Sequence, residues 1–532
     1  MKPLFLLTFL LTAAGRLSQA QSIYSTAEYV DIGNISAPHM VHGDMWWKPA
    51  AGTSDCVYPK GSSKTIAFSG SLWTGGYDAS GTLKVAVQTY RQQGTDYWPG
   101  PIDTTITLPA LKDSLTKKWS RIWKVNRTTI DSFRLLPFHT ISNTPSVILQ
   151  WPAKGNIYAA GANNASLFIN RDMAPFVDVD GNGIYNALRG DYPQIKGDQM
   201  LWWIINDYYF PHTQSHGTAL GIEIQNSAYA YKRNGTIDNI IFYEFLVTNK
   251  SNTPLHDWRI GLYADLDIGW GYDDYIGFDS SRRMGFFYNA KSPDGNGEPS
   301  SYGANIPAAA TVMLESPGDN YPNLTPAASF ATPFWSPTHL FAPTDSLHYY
   351  YLLNAKDKTG VQSMFGNYMY PQKYMCDNGF PKTEDRRGLM ATQNNTLHPG
   401  KSLKVAWALI AAPDAGDCTS LDLTGLNHTA DTAIIAYWNP LLPPPTGIKT
   451  PFQASGTLNI YPNPAKDILY IKPAINTNGQ VRIIDVTGRN ITIEKAVKGQ
   501  LIQVNTAQFT PGVYNVIYND GDRIENNVFV KE

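Results

Sequence analysis

Residues 240–247, Ile240-Ile241-Phe242-Tyr243-Glu244-Phe245-Leu246-Val247, decide the fold class. Ile241, Tyr243, Phe245 and Val247 fall on one side of an extended chain, while Ile240, Phe242 and Leu246 leave the other side nearly as apolar. β-branched and aromatic side chains suit a pleated surface, so the run predicts a strand. Working outward, Leu83, Val85 and Val87 alternate with Lys84, Ala86 and Gln88, and Leu403, Val405, Trp407 and Leu409 alternate again. Gly, Pro and Asn punctuate these segments. Of the 532 residues, 12% are aromatic, which tips the balance further toward sheet. The expectation is a mainly β protein with an antiparallel, sandwich-like body; a division into two lobes near residue 205 stays open. One helix is expected where Trp119, Ile122, Trp123, Ile130 and Phe133 recur at three- and four-residue spacing, although Val125 and Thr128-Thr129 weaken the pattern.

The start of the chain reads as a secretory signal peptide over residues 1–20. Lys2 gives the positive opening, Leu4 to Ala14 the apolar run, and Ser18-Gln19-Ala20 a small-x-small cleavage site. That run is shorter than the roughly 20 residues a membrane-spanning helix needs, and no later stretch qualifies, so no membrane span is expected. Charged residues make up 16%, and the formal charge of −2 becomes −4 once Lys2 and Arg16 leave with the signal. Without a basic stripe, nucleic acid is not an expected partner. Cys56, Cys376 and Cys418 cannot all pair internally, so one disulfide and one buried thiol are expected, with the pairing open.

Asn439-Pro440-Leu441-Leu442-Pro443-Pro444-Pro445 marks the clearest boundary, because proline fixes φ and removes donors. A β-rich body over 21–439, a Pro-rich linker over 440–455 and a compact unit over 456–532 follow. The last unit carries Leu458-Asn459-Ile460-Tyr461-Pro462-Asn463-Pro464, then Asp467 to Ile471, Val481 to Arg489 and Phe509 to Val516. These are short alternating strands, with Thr487-Gly488, Pro511-Gly512 and Asn519-Asp520-Gly521 supplying turn chemistry, and they predict a small antiparallel sandwich.

The same residues resemble the type A C-terminal sorting domain of the type IX, or Por, secretion system. Tyr461 to Pro464 match its YPNP-like opening, Asp485 to Arg489 its D-x-x-G-[KR] strand end, Pro511 to Tyr514 its PG-[VI]-Y turn, and Val528-Phe529-Val530-Lys531 its final strand. Asn526-Asn527 departs mildly from the residues usual there. The resemblance implies an immunoglobulin-like fold and a Gram-negative exporter, with the type IX machinery as partner. Cargo of this kind is released or attached to surface lipopolysaccharide, so a secreted or outer-surface location is implied. The body, from about 40 to 440, resembles large uncharacterised exported proteins carrying this domain. Its similar segments are Gln88 to Arg91, Gly94 to Pro101, Gly190 to Pro193 with Lys196 to Asp198, and Asp273 to Asp279.

The best chemical signal in the body is Asp178-Val179-Asp180-Gly181-Asn182-Gly183-Ile184. Asp178, Asp180 and Asn182 place hard oxygen donors at the first, third and fifth positions of an EF-hand loop, and Gly183 permits its sharp turn. The twelfth position is Arg189 instead of a bidentate Glu, so it is not an EF-hand; Asp191 can close a longer loop, with Ile184 giving its backbone carbonyl. Calcium is the expected ion, against a metal-free Asx turn. A second cluster, Asp265, Asp267, Asp273, Asp274 and Asp279, packs five carboxylates into 15 residues beside apolar strands. Calcium, a solvated loop and a glycoside-hydrolysing carboxylate pair are its three readings.

Other signals carry less. His212 and His216 have the i, i+4 spacing of a zinc pair, but Pro211 and Gly217 argue for turn or sheet histidines. No H-E-x-x-H, G-x-S-x-G or phosphate-cradling loop occurs. Arg189-Gly190-Asp191 reads as a chance tripeptide, and Asp113-Ser114-Leu115, Asp345-Ser346-Leu347 and Asp431-Thr432-Ala433 as weak O-glycosylation patterns. Trp46-Trp47 and Trp202-Trp203 could stack on sugars, with burial in a sheet the default. The expected function is a non-catalytic, calcium-braced exported β-protein serving adhesion, glycan binding or surface structure; the alternative is a secreted hydrolase of polysaccharide or protein.

Overall fold

The computed structural model describes residues 27–91, 94–295, 297–325, 329–331, 345–356, 372–374, 386–439, 458–473, 478–485, 490–498, 500–519 and 524–532. The predicted signal peptide and Pro-rich linker lie outside these residues, as does Cys376. The chain divides into two compact units, Met1–Pro443 and Pro444–Glu532.

The first unit is built on a ten-stranded antiparallel sheet. Ile240–Asn249 lies inside it, between Ile222–Ala230 and Ser402–Ala412. Ile241, Tyr243, Phe245 and Val247 are all buried, whereas on the other face Ile240 and Phe242 are buried and Leu246 is exposed. Beyond Ser402–Ala412 the order runs through Ala308–Glu315, Met284–Asn289 and Asp274–Asp279. A second sheet of six strands centres on Leu255–Asp265, paired with Ser69–Tyr77 on one side and Gly388–Ala391 on the other. Leu72, Ile260 and Leu262 of this sheet share one core with Trp203, Phe245 and Trp407 of the larger one. A fully buried side chain of this size contributes about 1.5–3 kcal/mol. Residue 205 sits within the strand Gln199–Asn206, not at a parting between lobes.

The expected helix is not one element. Helices span Pro109–Trp119 and Arg127–Arg134, and Trp123–Asn126 between them is a strand. That strand pairs with Gln199–Asn206, setting Trp123 opposite Trp202, so sheet pairing overrides the helical spacing of the apolar residues. A helix not anticipated from the sequence, Thr424–Trp438, packs on Ser402–Ala412 and Ala308–Glu315. Trp46, Trp47, Trp202 and Trp203 are all buried, so they are core and not sugar platforms. Cys418 is disulfide-bonded and Cys56 is a buried free thiol.

The second unit has a three-stranded and a four-stranded antiparallel sheet. Leu469, Ile471, Val481, Ile483, Val516 and Phe529 alternate inward and form its core. Tyr514, from the Pro511 to Tyr514 motif, is buried there and donates its hydroxyl to the Thr510 carbonyl at 2.7 Å.

Candidate functional site

The Asp178 loop leaves and re-enters the fold through a two-residue ladder, Phe176–Val177 against Tyr192–Pro193. Gly181 and Gly183 adopt φ of 73° and 77°, so only residues without a Cβ turn there without strain. One ligand oxygen each of Asp178, Asp180 and Asp191 lies within 4.8 Å of the others. Backbone donors already occupy many of these oxygens. Asp178 accepts from Gly181 and Gly183 at 2.8 and 2.6 Å, and Asn182 Oδ1 from Ile184 at 2.7 Å. Asp191 is fully buried and accepts from Val179 and Asn186, both at 2.8 Å. Burial raises its pKa, and the charges of Asp178 and Asp180 add to the rise. Arg189 folds back to Asp180 at 3.1 Å; this contact, with the Asn182 N–H, lowers the Asp180 pKa. The Arg189-Gly190-Asp191 tripeptide is thus spent inside its own loop.

The second set of carboxylates does not form one cluster. Asp279 begins the turn after the Asp274–Asp279 strand, about 17 Å along it from Asp274 at the usual rise per residue. It pairs with Arg282 at 2.8 Å, which also bridges to Asp431. Asp265 ends its own strand, with Arg387 at 3.1 Å. Asp273 and Asp274 gather with two residues the sequence reading missed, Asn289 and Asp294. Asn289 stands opposite Asp274 in the strand register and donates to Asp273 Oδ1 at 3.0 Å. Asp294 accepts from Trp270 N–H at 3.2 Å and from Tyr302 N–H. Burial raises the pKa of Asp273 to about 6, with the Asp294 charge adding to it. Burial likewise pushes Asp274 well up, reinforced by Asp267, Asp273 and Asp294. A sequence signal for Asp294 existed: Asp294-Gly295-Asn296-Gly297 repeats Asp180-Gly181-Asn182-Gly183.

The loop between Asp265 and Asp274 forms one wall of an open cleft of about 360 Å3. Trp270 and Tyr272 supply aromatic surface on this loop, and Phe68 and Tyr90 add to the lining. Tyr272 is 60% exposed, and the Trp270 and Tyr272 rings lie 5.7 Å apart. Asp265, Asp267 and Arg387 put two carboxylates and a guanidinium among the rings. A larger cavity, about 430 Å3, lies between residues 232–239 and the Thr424–Trp438 helix. It has no aromatic wall, and its Lys232 is engaged by Asp238 at 2.8 Å, so the smaller cleft is the stronger candidate. His212 is buried on no helix, with its ring nitrogens 2.7 Å from the carbonyls of Val85 and Asp207. His216 lies outside any helix at φ 55°, so the two do not share a helix face as a zinc pair would.

Residues 459–532 match the family model described as a secretion system C-terminal sorting domain. The tail is a type IX sorting domain. The protein is therefore secreted or displayed at the cell surface by that route, and among the described residues no helix is long and apolar enough to cross a membrane. No curated protein matches the chain. Among solved structures, a polysaccharide lyase is similar at 9% identity over 58% of this chain and 34% of its own, with a TM-score of 0.18. A putative aldose 1-epimerase from Escherichia coli K12 is similar at 10% over 49% and 82%, with a TM-score of 0.18. Dimeric latent PorU from Porphyromonas gingivalis is similar at 10% over 63% and 32%, with a TM-score of 0.12. The chain spans about a third of the length of that lyase. Likenesses of this size carry no chemistry across.

Proposed function

We propose that the body is a non-catalytic glycan-binding module, carried out of the cell by its tail and braced by calcium at the Asp178 loop. The observation that supports it is the cleft of Phe68, Tyr90, Trp270 and Tyr272 around Asp265, Asp267 and Arg387. Flat rings complement the C–H face of a pyranose, and convergent charged groups fix hydroxyls in place. The calcium clause rests on the converging oxygens of Asp178, Asp180 and Asp191, with Asn182 and the Ile184 carbonyl as further donors. Surface lipopolysaccharide is one glycan such a cleft could meet.

The alternative, a secreted hydrolase, is favoured by the presence of two carboxylates in the same cleft. Against it, the Arg387 guanidinium contacts Asp265, which suits anchoring better than proton transfer. A polysaccharide panel separates the two. The proposal expects saturable binding without product release, weakened at least tenfold by Tyr272→Ala and Trp270→Ala. Turnover abolished by Asp267→Asn would establish the hydrolase instead, and no binding to any member would remove the glycan reading.

A further inference from the structure

The cleft that carries the glycan reading has a charge pattern of its own. Phe68, Tyr90 and Trp270 are half-buried and Tyr272 is exposed, so all four rings keep surface open to a ligand. They come as two pairs, Phe68 with Tyr90 at 5.6 Å between ring centres and Trp270 with Tyr272 at 5.7 Å. The face of an aromatic ring carries negative partial charge and attracts a cation. Lys291 already exploits this at the wall, with Nζ 5.6 Å from the centre of the Trp270 ring, although it does not line the cleft itself.

The ionised groups of the lining point the same way. Two carboxylates, Asp265 and Asp267, stand against one guanidinium, Arg387. Arg387 reaches Asp265 at 3.1 Å, and the two side chains are only 16% and 3% exposed, so their charges balance within the pair. Asp267 then leaves the lining with one net negative charge. Its carboxyl lies against Gly271, where a Cβ would collide with Oδ1. That charge is therefore set at the backbone between Trp270 and Tyr272.

We infer that the cleft selects glycans bearing a free amine, as protonated amino sugars, over neutral and acidic ones. The ring faces hold a pyranose whether or not it is charged. An ammonium on the sugar gains in addition from the π-faces and from Asp267, whereas a uronate or sulfate ester meets net charge of its own sign. A lysine-rich peptide offers the same ammonium, but two pairs of flat rings on an open cleft suit the broad C–H face of a sugar better than an unbranched side chain. The inference rests on the proposed glycan reading and names its ligand class.

Titrations of the secreted chain use oligosaccharides that differ only at nitrogen, at mildly acidic pH where free amines are protonated. Chito-oligosaccharides with free amines are compared with their fully N-acetylated counterparts. Oligogalacturonate is the acidic arm, and oligolysine the amine without a sugar. Expected is at least tenfold tighter binding of the free-amine sugar than of the acetylated one, with oligogalacturonate weakest. The advantage should shrink as salt is raised. Asp267→Asn should cut it to within twofold, with circular dichroism confirming the fold; should that variant not fold, the comparison of ligands on the natural protein decides. Equal affinity for free-amine and acetylated sugars, or tighter binding of oligogalacturonate, overturns the inference and leaves the glycan reading standing. An advantage undiminished in folded Asp267→Asn overturns it as well. Binding of oligolysine with no sugar bound overturns both, as does no binding at all.

Discussion

Asp180-Gly181-Asn182-Gly183 and Asp294-Gly295-Asn296-Gly297 spell the same turn, and the glycines described in both take positive φ. Their surroundings differ. In the first, Asp178, Asn182 and Asp191 accept from backbone N–H groups of the loop itself, and Arg189 reaches Asp180. In the second, Asp294 is buried and accepts from the Trp270 and Tyr302 N–H groups outside its own turn, and oxygens of Asp274 and Asn289 nearby are left over. A turn near water can hold its shape on internal hydrogen bonds. A buried set of carboxyls lowers its cost by holding protons, the direction in which burial moves Asp273 and Asp274.

The largest effect that sharpens this contrast is chelation. At free calcium about a thousandfold above its dissociation constant, a bound ion stabilises the folded body by about 4 kcal/mol. Denaturant unfolding with and without chelator should show that difference, and Asp178→Asn/Asp180→Asn should abolish it. A chelator effect that survives the double variant would place the ion outside this loop. Next comes Asp191→Asn, measured by urea unfolding in chelator. It turns an amide toward the N–H of Val179 or Asn186 and should cost about 1–3 kcal/mol, because a buried acceptor is replaced by a donor. Smallest is Arg189→Gln in chelator, which should leave the urea midpoint unchanged, since an exposed ion pair contributes little. A clear destabilisation there would mean that the guanidinium substitutes for the ion.

The tail was legible because its four motifs are local: each strand and turn is encoded within a few residues, and the alternation of Leu469, Ile471, Val481 and Ile483 alone assigns its core. Strand identity in the body was legible for the same reason, from 240–247 outward. Three things were not. The Trp119 to Phe133 periodicity is real, but pairing of Trp123 with Trp202 decides the conformation, and that partner lies far along the chain. Proximity in sequence grouped Asp279 with Asp274, whereas a strand carries them apart. The cleft draws Phe68, Tyr90 and Arg387 from distant strands and loops, so no window of sequence contains it.

The contrast between the two turns is tested most directly by counting calcium ions bound per chain under native mass spectrometry. The account predicts one ion in the natural protein and none in Asp178→Asn/Asp180→Asn. A count that the double variant leaves unchanged would contradict it.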